Sequence, residues 1–218
     1  MFKHDFVRRN NLTQNNNKTG RTYTMNELVD MPVFRSVTSI LSEAMDRSYL
    51  DKWIQKIGVN KAEGIKISAG NRGTDLHSVM ESYLLNDENY MKGVMPSTKV
   101  SFRSIKKFID ENVGTVRGIE LPLYSRELKA AGTADLFADW KCKPAVIDFK
   151  GSSKPKKKEY IFSYFLQTTA YAIMIEELYK IPVEDIVIVM AVDFDEPIIF
   201  EEKTDNYRKD VYQIFKGM

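Results

Sequence analysis

Two carboxylates and an ammonium stand out for their spacing. Asp135 closes the run Gly132-Thr133-Ala134-Asp135, and Asp148 and Lys150 frame Phe149 in Ile147-Asp148-Phe149-Lys150. A hairpin centred between Lys141 and Cys142 puts Asp135 and Asp148 equally far from the turn, so they face one another with Cβ atoms ~5 Å apart. Strand alternation sets Lys150 on the same face as Asp148, with Ile147 and Phe149 turned to the core. Facing carboxylates repel unless a cation lies between them. Hard oxygen ligands favour Mg²⁺ or Mn²⁺ for that task. Beside such an ion, a lysine can orient or deprotonate a water, or stabilise charge on a phosphorane, which is the inventory for phosphodiester hydrolysis.

The elements that must position these groups follow from the periodicity. Helices are expected from Ser36/Thr38 to about Ile57, with Leu41, Met45, Tyr49 and Trp53 as a stripe, then from about Ala69 to Leu85 and from about Lys99 to Val113. Val116–Glu127, Ala130–Trp140 and Pro144–Lys150 read as strands, Tyr160–Tyr179 as a helix, and Asp185–Val192 as a strand covered on both faces. Ile198–Glu202 and Asp205–Phe215 read as an edge strand and a closing helix. The expectation is a single α/β domain over residues 25–218, with a central mixed β-sheet flanked by helices and an N-terminal helical cover. Residues 1–24 are Asn-rich and basic, and read as a poorly ordered arm.

Composition narrows the chemistry. The 218 residues carry 43% hydrophobic and 28% charged side chains, as in a soluble globular protein. The longest clean apolar run, Ile186–Val192, is too short to span a bilayer. With one cysteine, Cys142, there is no disulfide and no cysteine-ligated zinc or iron–sulfur cluster. The net charge of +2 conceals segregation. The arm and the Lys154–Lys158 knot are basic and Glu176–Asp210 is acid-rich, which suits one positive face for a polyanion.

With these residues in view, the chain resembles the PD-(D/E)XK nucleases of the RecB-like branch. Asp135, Asp148-Phe149-Lys150 and Gln167-x-x-x-Tyr171 match its motifs, and Gly73-Thr-Asp-Leu-His77 matches its opening Gly-x-x-x-His. Pro32-Val-Phe-Arg-Ser36-Val-Thr38-x-x-Leu41 is similar to the mitochondrial genome maintenance exonuclease group and its phage-encoded relatives. The resemblance implies a restriction-endonuclease-like core. It implies metal ligation by His77, Asp135, Asp148 and the Phe149 carbonyl, with Glu120 near a second metal and Lys150 as the catalytic lysine. Gln167 and Tyr171 would touch the DNA backbone or brace the lysine. The family's Thr-Ser after the catalytic lysine is here Gly151-Ser152-Ser153, with Ser152 as the expected phosphate contact and Ser153 and Lys154 also expected to touch DNA; no proline precedes Asp135.

The resulting expectation is a monomeric Mg²⁺- or Mn²⁺-dependent exodeoxyribonuclease acting on single-stranded DNA ends. It would work in a bacterial or phage-infected cytoplasm rather than a mitochondrial matrix, with replication or recombination proteins as partners. The rivals are a structure-selective endonuclease or RNase using the same site, and a binding module that has lost the chemistry.

Overall fold

The computed structural model describes residues 1–17, 20–25, 32–45 and 48–217. Four strands come first: β1 (Lys3–His4), β2 (Leu12–Asn17), β3 (Gly20–Met25) and β4 (Val33–Ser36). The helices α1 (Val37–Ala44), α2 (Ser48–Ile57), α3 (Val59–Leu84) and α4 (Pro96–Asn112) follow. Then come β5 (Val113–Ser125), β6 (Ala130–Trp140), β7 (Lys143–Ser152), α5 (Phe162–Tyr179), β8 (Asp185–Val192), β9 (Ile198–Lys203) and α6 (Asp205–Lys216). The architecture is α/β, one mixed sheet between two helical layers.

The sheet runs β2-β3-β4-β6-β7-β8-β9, with β5 antiparallel to β6 and β1 parallel beside β5. Alternation along β8 divides its residues between two cores. Ile186, Ile188 and Met190 pack with α1, α5 and α6, whereas Val187, Val189 and Ala191 pack with α3 and α4. That explains the unbroken apolar run of Asp185–Val192: both faces are covered. Lys141 and Cys142 both have positive φ, the backbone that a two-residue type I′ hairpin requires, so the β6–β7 turn lies where the sequence puts it.

Two expectations need correction. Residues 1–24 are not a free arm: β2 and β3 pair along their length, β3 pairs with β4, and Tyr23 and Met25 are buried against Phe34 and Ala131. The basic side chains there hide a strand pair whose outer residues are polar. Secondly, the helix expected over Ser36–Ile57 is two helices, α1 ending at a bend around Met45, and part of the Tyr49 stripe lies outside the described residues. Conversely, α3 begins at Val59, ten residues before the expected start at about Ala69, and runs without interruption through Gly64.

Deleting residues 1–24 tests the first correction. A free arm would leave the melting temperature unchanged. Loss of the buried Tyr23, and of the β2 strand that pairs with Met25, should instead cost roughly 2–4 kcal/mol, lowering the transition by on the order of 10 °C in a calorimetric scan.

Candidate active site

The site begins where β6 and β7 part. Their antiparallel register runs from Trp140↔Lys143 to Leu136↔Ile147 and stops one pair short of Asp135 and Asp148. Beyond it β7 continues beside β8 alone, through Asp148↔Ile188 to Ser152↔Val192. On that flank β6 next meets β4, at Ala130 and Ala131. The Phe149 N–H, released from the ladder, donates to Asp135 Oδ2 at 2.8 Å, a side chain standing in for a strand. Buried amides need a partner, so the carboxylate closes the end of the pairing.

A second irregularity turns the donors toward α3. Ile119 packs with α3 and α4 while Leu121 packs with α5, although residues two apart on a strand normally share a face. Opposite them on β6, Leu136 and Ala134 divide in the same way. The break falls at Glu120, whose φ of 42° is unusual for a non-glycine residue. It leaves the Glu120 and Asp135 carboxylates beside His77 of α3, with Nδ1 3.5 Å from Glu120 Oε1 and 3.6 Å from Asp135 Oδ1. The His77 ring is fixed from its other side, Nε2 lying 2.9 Å from the Phe149 carbonyl. One donor atom each from His77, Glu120 and Asp135 falls within 4.8 Å of the others, and the set can hold a metal ion. Imidazole and carboxylate donors with no thiolate suit a hard divalent cation.

Asp148 and Lys150 point toward α5, as the alternation requires. Asp148 is 1% exposed. Its Oδ2 forms an ion pair with Lys150 Nζ at 2.5 Å, and its Oδ1 accepts from Gln167 Nε2 at 3.2 Å. The Lys150 ammonium also lies 5.3 Å from the centre of the Tyr164 ring. In the sequence Tyr164 marks only the helical spacing of α5, because a place on that apolar stripe signals core as readily as site.

Four expected residues take different places. Asp148 stands outside the His77–Glu120–Asp135 donor cluster, engaged by Lys150 and Gln167 instead. Glu120, expected near a second metal, belongs to the cluster itself. Gln167 braces Asp148 rather than the lysine. Tyr171 is 3% exposed and out of reach of a nucleic-acid backbone; its ring packs against Gly132 of β6. A Cβ at Gly132 would lie 2.8 Å from the Tyr171 hydroxyl, which is why β6 carries glycine there. Ser152, Ser153 and Lys154 form the surface loop after β7, with Ser152 Oγ donating to the Lys154 carbonyl at 2.7 Å.

The electrostatics follow from burial. Asp135 is pushed from 3.8 up to about 7, by desolvation first and by the Asp148 charge second. For His77, burial works against the charge, but the Glu120 hydrogen bond and the Asp135 charge outweigh it, giving about 9 instead of 6.5. Lys150 is likewise held above its ordinary value: burial opposes, and Asp148 and Asp135 prevail.

Comparison with known proteins points the same way. No family model matches the chain. It is 30% identical over 149 residues to mitochondrial genome maintenance exonuclease 1 of Homo sapiens, covering 64% of this chain and 43% of that protein. The relationship is a nuclease-like one. The Mus musculus protein of the same name is 29% identical over 155 residues, 65% of this chain and 46% of its own. The Xenopus tropicalis protein is 29% identical over 146 residues, 62% and 41%. The match therefore spans less than half the length of these relatives. A solved candidate exonuclease from Eubacterium rectale overlays 67% of this chain and 64% of its own at a TM-score of 0.46 and 15% identity, too loosely to carry weight. Among the described residues no helix is long and apolar enough to cross a membrane.

Two predictions follow from this geometry. Gly132→Ala should overpack against Tyr171 and cost about 1–3 kcal/mol, read by denaturant unfolding. In the metal-free protein, Asp135 and His77 both bind protons more tightly folded than unfolded. Their contributions are present at low pH and lost as pH rises, across 3.8 to about 7 for Asp135 and 6.5 to about 9 for His77. The melting temperature without metal should fall between pH 5 and pH 9 as these windows are crossed, and the gain on adding Mn²⁺ should grow with pH. Equal Mn²⁺ gains at both pH values would refute the assignment.

Proposed function

We propose that the protein is a divalent-metal-dependent DNA exonuclease that prefers single-stranded ends. The observation that carries this reading is the meeting of three metal-capable donors, His77, Glu120 and Asp135, with a buried ion-paired lysine at one strand opening. A nuclease-like relationship to exonuclease-named proteins supports it. Mg²⁺ or Mn²⁺, when bound, supplies Lewis-acid stabilisation of the scissile phosphate and a more acidic water.

The chain's own groups do the rest. His77, Glu120 and Asp135 would hold the cation, and the Phe149 backbone ties two of them together, its amide to Asp135 and its carbonyl to His77. Lys150 is charged at neutral pH, so it presents an ammonium to the phosphate oxygens rather than acting as a free base; negative charge grows there as water oxygen adds to phosphorus and the ester P–O bond breaks. Asp148 aims Lys150, and Gln167 fixes Asp148. Surface lysines 154, 156 and 157 contribute sequence-independent attraction that falls with salt.

End-labelled linear single-stranded, linear double-stranded and circular single-stranded DNA, each with Mg²⁺ or EDTA, decide the matter. Linear single strands should be degraded with Mg²⁺ only, and Lys150→Ala should reduce the rate by on the order of 10²–10³. Cleavage of the circle would leave the site standing and remove the requirement for an end. Binding without cleavage in either Mg²⁺ or Mn²⁺ would overturn the catalytic assignment.

A further inference from the structure

Two cavities meet at Gly73 of α3. One opens over His77, Glu81 and Glu120, on the metal-capable side. The other, about 220 Å³, lies between α3, the first turns of α4 and the end of β7. Its wall starts at Gly151, one residue past Lys150, so a group beside the lysine has this cleft as its neighbour.

The lining has a distinct chemistry. Ile65, Ala69 and Leu76 of α3 form an apolar side. Hydroxyls face it from Ser97, Thr98 and Ser101 of α4 and from Ser152 and Ser153. Thr98 is 3% exposed, and among the described residues its hydroxyl has no hydrogen-bond partner. Lining the cavity, that hydroxyl is available to donate to or accept from a group that enters it. The N-cap of α4, Met95, supplies no side-chain cap, so the first-turn amides of that helix are also open. Arg72 and Lys156 stand at the rim, Arg72 tied to Asp193 at 3.4 Å and Lys156 to the Tyr164 hydroxyl at 3.0 Å. The carboxylate in the lining, Asp193, is thus matched by a cation.

We infer that this cleft is a nucleotide subsite, holding the residue of the strand next to the scissile phosphate. The base or sugar lies on the Ile65–Ala69–Leu76 side. The adjoining phosphate takes Thr98 and the amides of α4, with Arg72 released from Asp193 to join it. The inference rests on the nuclease reading for its orientation, but its test does not depend on cleavage. Ala69 is exposed on α3, so enlarging it fills the cleft without disturbing either core.

The experiment measures fluorescence anisotropy of a labelled short oligothymidylate, in a Lys150→Ala background so that the strand survives. Ala69→Trp should weaken binding roughly tenfold or more, the equivalent of about 1.4 kcal/mol. Its melting temperature, and its stabilisation by Mn²⁺, should match those of the background protein. Arg72→Gln, which removes only an exposed ion pair, should lower the salt slope of log K by about 0.7. Thymidine monophosphate separates two sources of the group. Displacement of the strand marks a subsite that also retains the released nucleotide; no displacement marks one that needs the strand. Unchanged affinity in Ala69→Trp, or an unchanged salt slope in Arg72→Gln, overturns the inference. Binding lost in Ala69→Trp, in a protein whose Lys150 form cuts nothing, would keep the subsite and count against the catalytic reading alone.

Discussion

The parting of β6 from β7 after Leu136↔Ile147 is the constraint on which the site depends. A continuous ladder would use the Phe149 amide for pairing and cover Asp135 with a neighbouring strand. Because the strands separate, that amide is free to orient a carboxylate, and the adjoining carbonyl to orient an imidazole. Tyr171 packs against Gly132 next to this opening, and Asp135 and Asp148 are buried there. Burial in turn makes the charges strong. A carboxylate at 9% exposure, next to another at 1%, holds its proton to about pH 7 unless a cation replaces it.

The site is thus one whose charges a bound cation would relieve. His77 and Asp135 retain protons that a cation would displace, and Asp148 keeps its charge company with Lys150. Such arrangements cost folding stability and are tolerated where a ligand compensates. The two well-filled cores on either face of the sheet supply the stability that makes this possible.

Much of this was legible in the sequence, for reasons that differ by element. The hairpin arithmetic that paired Asp135 with Asp148 required only the position of a two-residue turn, and period-two alternation then placed Lys150. The mixed α/β architecture followed from the change of hydrophobic period near Val113 and the doubly covered β8. The strands of residues 12–25 were hidden because Leu-Thr-Gln-Asn-Asn-Asn and Gly-Arg-Thr-Tyr-Thr-Met carry polar side chains on their exposed positions, with only Tyr23 and Met25 buried at alternate residues. The first part of α3, residues 59–68, was hidden by Gly58 and Gly64, while the rest carried its helical spacing openly. No periodicity could reveal the positive φ of Glu120, because it arises from the tertiary demand that two neighbouring strands change faces at one point.

Tyr164 shows how a residue without charge can organise those that have it. Lys150 and Lys156 lie 5.3 and 5.2 Å from the centre of its ring, and Lys156 also donates to its hydroxyl at 3.0 Å. An electron-rich ring between the two ammoniums, with the Asp148 carboxylate beside one of them, eases their mutual repulsion. One aromatic ring on the first turn of α5 therefore ties the buried lysine beside Asp148 to the basic loop after β7. An anion reaching that loop meets a cation whose position is already coupled, through Tyr164, to the one beside the metal-capable donors. The coupling follows from the placement of α5 across the strand opening, the same packing that brings Gln167 to Asp148 and Tyr171 to Gly132.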